Sequence, residues 1–127
     1  MEEAVSRQVI RCAFEVSNRL GAGFLEKVYE NALCIEFGRM GLGFSQQQPL
    51  RVYYRDRQVG EYIADILVEN KLLIEVKAAK GLSSSHSAQI MNYLRATDIA
   101  VGLLLNFGRP RLEVKRVVWK HNETEII

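Results

Sequence analysis

The chain of 127 residues has only two cysteines and two prolines, and neither sign dominates its charge. Each scarcity excludes something. Cys12 and Cys34 stand singly, with no C-x-x-C spacing and no neighbouring histidine, so neither a disulfide framework nor a zinc site is expected. They read as small buried hydrophobes in a reducing compartment. A net charge of +2 is too small to announce a nucleic-acid partner and does not forbid one. No run approaches the ~18 apolar residues that a membrane span requires, so no membrane partner is expected. The opening MEEAVSR lacks the basic and then apolar regions of a secretory leader, which makes the cytoplasm the expected compartment. The chain has no internal repeat and no low-complexity linker, and its length suits one domain over residues 1–127.

The apolar pattern orders the chain. Val5, Val9, Cys12, Ala13, Val16 and Leu20 recur at three- and four-residue spacing, the stripe of an amphipathic helix over residues 3–20. Gly21-Ala22-Gly23 interrupts it, and a second helix is expected over residues 24–40, stopped by Gly41 and Gly43. Pro49 marks the next expected boundary. Residues 50–54 and 59–68 then read as strands joined by the turn Arg55-Asp56-Arg57, and residues 72–78 as a third strand. Gly81 and the serines Ser83, Ser84 and Ser85 supply a loop and N-cap candidates for a helix over residues 86–96. Residues 99–107, IAVGLLLNF, are apolar on both faces, as in a central strand covered by helices. A last strand is expected over residues 112–120. The order predicts a mixed sheet with helices on both faces, containing one right-handed parallel crossover.

Charges stand where that scheme wants none. Residues 65–78, DILVENKLLIEVKA, read as a buried hairpin, yet Asp65, Glu75 and Lys77 interrupt its apolar arms. Glu75 and Lys77 share one face of their strand. A two-residue loop at Asn70-Lys71 would send Asp65 to the opposite face, whereas a three-residue loop, Glu69-Asn70-Lys71, would set it directly across from Glu75. In the second case two carboxylates meet at cross-strand distance, unfavourable by roughly 0.2–1 kcal/mol unless compensated. A divalent cation compensates: Mg²⁺ takes hard oxygen ligands, commonly one or two carboxylates plus water and phosphate. Lys77 could then orient or help deprotonate an attacking water and counter developing charge. The plainer reading is a half-exposed acidic pair with a lysine partner.

Further polar residues cluster by periodicity. His86, Gln89 and Tyr93 share a helix face, opposite the core-facing Ile90, Met91 and Leu94. Glu26 lies beside the apolar stripe of the second helix, either as a first-turn acid favoured by the helix dipole or as a third carboxylate reaching a metal through water. Positive charge gathers at Arg51, Arg55 and Arg57, at Lys77 and Lys80, and at Arg109, Arg111, Lys115 and Arg116.

Gly23-Phe24-Leu25-Glu26-Lys27-Val28-Tyr29 matches the G-x-x-E-x-x-Y signature. Asp65, Glu75-Val76-Lys77 and Gln89-Ile90-Met91-Asn92-Tyr93 match in order the D, E-x-K and Q-x-x-x-Y elements. Over residues 3–120 the chain therefore resembles the GxxExxY proteins, small members of the PD-(D/E)xK nuclease superfamily. Ala64 stands before Asp65 where the superfamily's name has proline. The resemblance implies an α/β (α+β), restriction-endonuclease-like fold of three layers, α/β/α. Its core is αβββαβ around a mixed sheet, here with an added N-terminal helix and C-terminal strand. It implies Asp65 and Glu75 as metal ligands with Glu26 beside them, Mg²⁺ or Mn²⁺ as cofactor, and Lys77 as the catalytic lysine. Glu26, Gln89 and Tyr93 would support it, and Lys80, His86 and Arg95 would touch nucleic acid. On this resemblance the three-residue loop is the expected register. The expected activity is phosphodiester hydrolysis of nucleic acid, with DNA the expected substrate. The rival is a non-catalytic module that binds nucleic acid or protein on the same fold. A chain this short leaves little room for sequence readout, so a second copy or a partner protein would supply targeting.

Overall fold

A computed structural model describes residues 2–119. The predicted stripe of Val5, Val9, Cys12, Ala13 and Val16 becomes the buried face of α1 (Glu2–Leu20). Gly23, at φ 118°, adopts a backbone that L side chains rarely reach, and the chain re-enters helix as α2 (Glu26–Arg39). The expected start at residue 24 moves inward because Leu25 is the extended N-cap and the Phe24 N–H donates to the Tyr29 hydroxyl at 3.1 Å.

Five strands follow: β1 (Phe44–Tyr54), β2 (Arg57–Val68), β3 (Leu72–Lys77), β4 (Val101–Asn106) and β5 (Glu113–Val118). They form one sheet in sequence order, antiparallel except that β3 and β4 run parallel. The crossover between those two is α3 (Ser84–Thr97). Pro49 lies inside β1 opposite Ile63, so the strand begins at Phe44 and not at residue 50. Because β1 is an outer strand, a residue without an N–H can stand there. The turn after β1 is also shorter than expected. Arg55 and Asp56 make it alone, both left-handed at φ 49° and 65°, and Arg57 already belongs to β2. The helix expected from residue 86 starts at Ser84, with Ser83 as its N-cap. The last two strands are shorter than their apolar runs, and Lys120, at the end of the last expected strand, lies outside the described residues.

The sheet separates two cores. Ile66, Val68, Leu72, Ile74, Leu103 and Leu105 pack with α1 and α2. Leu50, Ala64, Leu73 and Leu104 pack with Ile90 and Leu94 of α3 on the other face. Every residue of β4 is buried, as its two-sided apolar pattern requires. No helix among the described residues is long and apolar enough to cross a membrane.

At the end of β4 the fully buried Asn106 side chain fastens the segment that leaves β3. Its Oδ1 accepts from the N–H groups of Ala79 (2.9 Å) and Gly108 (3.0 Å), while its Nδ2 donates to the Ala79 carbonyl (3.0 Å) and to Glu113 Oε1 (2.8 Å). The two segments approach so closely that a Cβ on Gly108 would overlap the backbone of Ala78 and Ala79, whereas one on Gly38 would meet nothing. Gly108→Ala is therefore expected to destabilise the protein by about 1–3 kcal/mol, the scale of overpacking. Gly38→Ala, in helix α2, should be neutral or stabilising by up to about 1 kcal/mol. Urea unfolding of both variants checks this, and equal midpoints would refute the close approach.

Candidate active site

Left-handed Glu69 (φ 53°) and Asn70 (φ 54°) turn β2 into β3, with the Lys71 N–H closing on the Val68 carbonyl at 3.0 Å. The three-residue loop sets the register Val68–Leu72, Leu67–Leu73 and Ile66–Ile74, which brings Asp65 level with Glu75. There the regular ladder ends. The Asp65 N–H donates to Glu75 Oε2 at 2.8 Å, and the Val76 N–H donates to Asp65 Oδ2 at 2.7 Å. Each strand's carboxylate thus caps a backbone donor of the other. A buried N–H left without an acceptor would cost about 1–3 kcal/mol. These bonds use Oδ2 and Oε2; Oδ1 of Asp65 and Oε1 of Glu75 take no part in them.

Strands β1 and β2 turn over at this same level. Gln46 pairs with Ile66 and Gln48 with Ala64, while Gln47, between them, is left-handed at φ 55°. On β2, Ile66 lies in the core of α1 and α2, yet Ala64, two residues away, lies in the core of α3. On β1, Phe44 meets Phe37 of α2, whereas Leu50 joins the α3 core. Regular alternation would keep residues two apart on one face. Asp65 stands at this crossover and so faces residues from both layers.

On the α3 side, Lys77 Nζ donates to Gln89 Oε1 at 3.1 Å, and Gln89 Nε2 donates to the Tyr93 hydroxyl at 3.2 Å. This chain places three of the sequence-predicted site residues in line beside Glu75. On the α2 side, a cleft of about 740 Å³ is lined by Gly23, Glu26, Glu30, Gln47, Asp65 and Gly108, among others. Glu26 shares that cleft with Asp65, while Gln89 reaches the site from the opposite face and does not line it. The motif tyrosine has a different task from the motif glutamate. Tyr29 is fully buried and stacks on Phe107 at 4.7 Å, and its hydroxyl donates to the Gly21 carbonyl at 2.6 Å. It ties down the glycine loop that forms the cleft wall.

Of the residues expected to touch nucleic acid, Lys80 and Arg95 are exposed. His86 takes part in starting α3. Its Nδ1 accepts from the Ser83 N–H at 3.1 Å, and the Ser83 hydroxyl accepts from the His86 N–H at 3.4 Å. Glu30 is the residue that sequence reasoning missed. Only 3% exposed, it accepts from Gln46 Nε2 (2.7 Å), Gln47 Nε2 (2.8 Å) and Lys27 Nζ (3.2 Å). Its one visible signal is its position one helical turn beyond Glu26.

Burial, reinforced by the neighbouring Asp65 charge, pushes the Glu75 carboxyl up to about 8 in the metal-free protein. Asp65 is raised as well, first by burial and then by the charge of Glu30. The Tyr93 hydroxyl is raised by burial and by Glu75. Among the described residues no group of three or more His, Cys, Asp or Glu is gathered to hold a metal ion. The Asp65–Glu75 pair leaves one oxygen of each carboxylate outside the capping bonds, and two such oxygens are the hard donors that Mg²⁺ commonly takes together with water or phosphate.

A five-stranded mixed sheet between helical layers, with an acidic pair and a lysine at the end of its central hairpin, defines a restriction-endonuclease-like protein. The chain belongs to the PD-(D/E)XK nuclease superfamily, whose model matches residues 3–117. Among solved structures it is similar to the crystal structure of SSO0001, with 16% sequence identity and a TM-score of 0.59, over 76% of this chain and 52% of that one. That likeness shows the fold, and the chain spans about half the length of that protein. No curated protein matches the chain.

The raised Glu75 carboxyl predicts a pH dependence. Between its ordinary value of 4.5 and about 8 the folded state holds more protons than the unfolded state, so this group makes stability fall as pH rises through that window. Glu75→Gln keeps an acceptor for the Asp65 N–H and removes the titration. In chelator its melting temperature should exceed that of wild type by several degrees at pH 8.5, and the gap should close toward pH 5. A gap constant with pH would contradict the burial of an ionisable Glu75.

Proposed function

We propose that this protein is a divalent-metal-dependent nuclease that hydrolyses phosphodiester bonds of nucleic acid, with DNA as the substrate. The observation that carries the reading is the Asp65–Glu75 pair, level across the hairpin, with Lys77 held beside it by Gln89. Asp65 and Glu75 would hold Mg²⁺ or Mn²⁺ through the oxygens their capping bonds do not use, with Glu26 across the cleft reaching the ion through water. Such an ion, when bound, polarises the phosphoryl oxygen and lowers the pKa of water. Lys77 orients the attacking water and counters the negative charge that develops on phosphorus oxygens. Gln89 fixes the lysine, and the Tyr93 hydroxyl fixes Gln89 in turn. Lys80 and Arg95, both exposed, would meet the phosphate backbone, while His86 keeps only Nε2 free for that purpose.

The second reading is a binding module on the same fold. On its side stands the Glu75 carboxyl near 8, which carries a proton at neutral pH in the metal-free protein. Two measurements separate the readings. Purified protein is assayed on single- and double-stranded DNA and RNA with Mg²⁺, Mn²⁺ or chelator. Metal-dependent cleavage should appear, and Lys77→Ala should slow it by about 10²–10⁴-fold. Binding without cleavage under every metal would favour the module.

The ion itself has a readout besides activity. Mg²⁺ at about a hundred times its dissociation constant should stabilise the wild type by ~2.7 kcal/mol in thermal melts. Asp65→Asn keeps an oxygen for the Val76 N–H but loses the charge, so in chelator it should melt at or above wild type and respond to Mg²⁺ far less. Equal responses would mean that the pair holds no ion.

A further inference from the structure

The β2–β3 ladder ends at Ile66, so the outer parts of β1 and β2 continue past it as a two-stranded ribbon. Where this ribbon passes α3, a groove of about 410 Å³ opens between Val52, Tyr53 and Tyr62 on one side and Asn92, Arg95 and Ala96 on the other. Three features make it a built surface. The register slips between Val52 and Tyr53, and these consecutive residues line the same groove where alternation would separate them. Gly60, opposite Val52, leaves the Tyr62 ring bare, since a Cβ there would already touch the ring at 3.8 Å. Tyr53 and Tyr62 remain 60% and 51% exposed, an unusual state for two aromatic rings lining one groove.

The groove also leads to the site. The Tyr62 ring lies 5.6 Å from that of Tyr93, whose hydroxyl accepts from Gln89, and Gln89 holds Lys77. Its chemistry is aromatic with one cation. Arg95 makes no ion pair among the described residues, while Arg51 on the ribbon is already paired with Glu61 at 3.4 Å. A duplex is held mainly by many phosphate contacts, and its base faces are covered by its own stacking. An unpaired strand offers what this groove can use: base faces for the tyrosines, base edges for the Asn92 amide and a phosphate for Arg95.

We propose that the groove between the β1–β2 ribbon and α3 is a stacking site for unpaired bases, and that it directs a single strand toward Lys77. The proposal rests on the nuclease reading for its use, but its test does not need turnover. Fluorescence anisotropy in chelator compares end-labelled strands of oligothymidine and oligouridine with an abasic strand and a duplex of the same length. At least one of the two base-bearing strands should bind about tenfold or more tightly than both the abasic strand and the duplex, and the tighter one identifies the sugar. Tyr53→Ala and Arg95→Ala, both at exposed positions, should each weaken that binding by about 5- to 100-fold, the range for one lost stacking or charge contact. Tyr62→Phe should bind as wild type and Tyr62→Ala should not, with thermal melts confirming that each variant is folded. Duplex binding as tight as single-strand binding, indifference to Tyr53→Ala, or no binding at all would overturn the proposal. If the binding pattern holds and no metal supports cleavage, the nuclease reading fails alone; if cleavage occurs and the pattern is absent, the stacking site fails alone.

Discussion

Two hydrogen bonds at the end of one ladder organise this protein. Asp65 and Glu75 each accept an N–H from the opposite strand, at the level where β1 and β2 turn over. Without those acceptors, the backbone donors at the end of the ladder would be buried and unmet. The acids therefore stand in the interior for a structural reason, and that reason also holds them side by side. Burial there raises the cost of ionising Glu75, and the Asp65 carboxylate held beside it raises that cost further.

The turnover also decides which layer reaches the pair. From the α3 side come Lys77, Gln89 and Tyr93, linked by successive hydrogen bonds. From the α2 side come Glu26, and Glu30 with its amide donors Gln46 and Gln47. Because Gln47 is left-handed, two consecutive glutamines reach the same carboxylate, which a regular strand would forbid. The left-handed backbone at a non-glycine residue is local strain, set beside the site it shapes. Burial raises both Asp65 and Glu75, the charge of Glu30 adds to each, and Lys77 offsets this only in part. Such concentrations of like charge are retained where function uses them, at the expense of stability.

The rest of the molecule supports this junction from a distance. Tyr29 stacks on Phe107 and holds the glycine loop that walls the cleft. Asn106 fastens the chain just beyond Lys77, so the strand end carrying the lysine is fixed on both sides. The ribbon that continues past the ladder gives Leu50 and Ala64 to the α3 core, while the rings of Tyr53 and Tyr62 on it stay exposed.

Periodicity, with turn and cap signals and the two-sided apolar run of residues 99–107, was enough to find the three helices and five strands of the described residues, because burying a stripe or a face imposes a repeat on the residues that do it. The interior charges at Asp65, Glu75 and Lys77 were equally legible, since nothing in an apolar hairpin explains them. Their register was not: a loop of two or three residues fits the same letters, and the choice required Glu69 and Asn70 to be left-handed. Pro49 misled for a related reason, because only the sheet order shows that β1 is an outer strand that can lack an N–H. Glu30 stayed hidden because its donors come from residues 46 and 47 of another element. The sequence by itself determined which residues are apolar, which are charged and how they repeat. The tertiary structure alone decided which charges meet, because that depends on left-handed backbone at Gln47, Glu69 and Asn70 and on where one ladder ends, and none of these leaves a periodic trace in the chain.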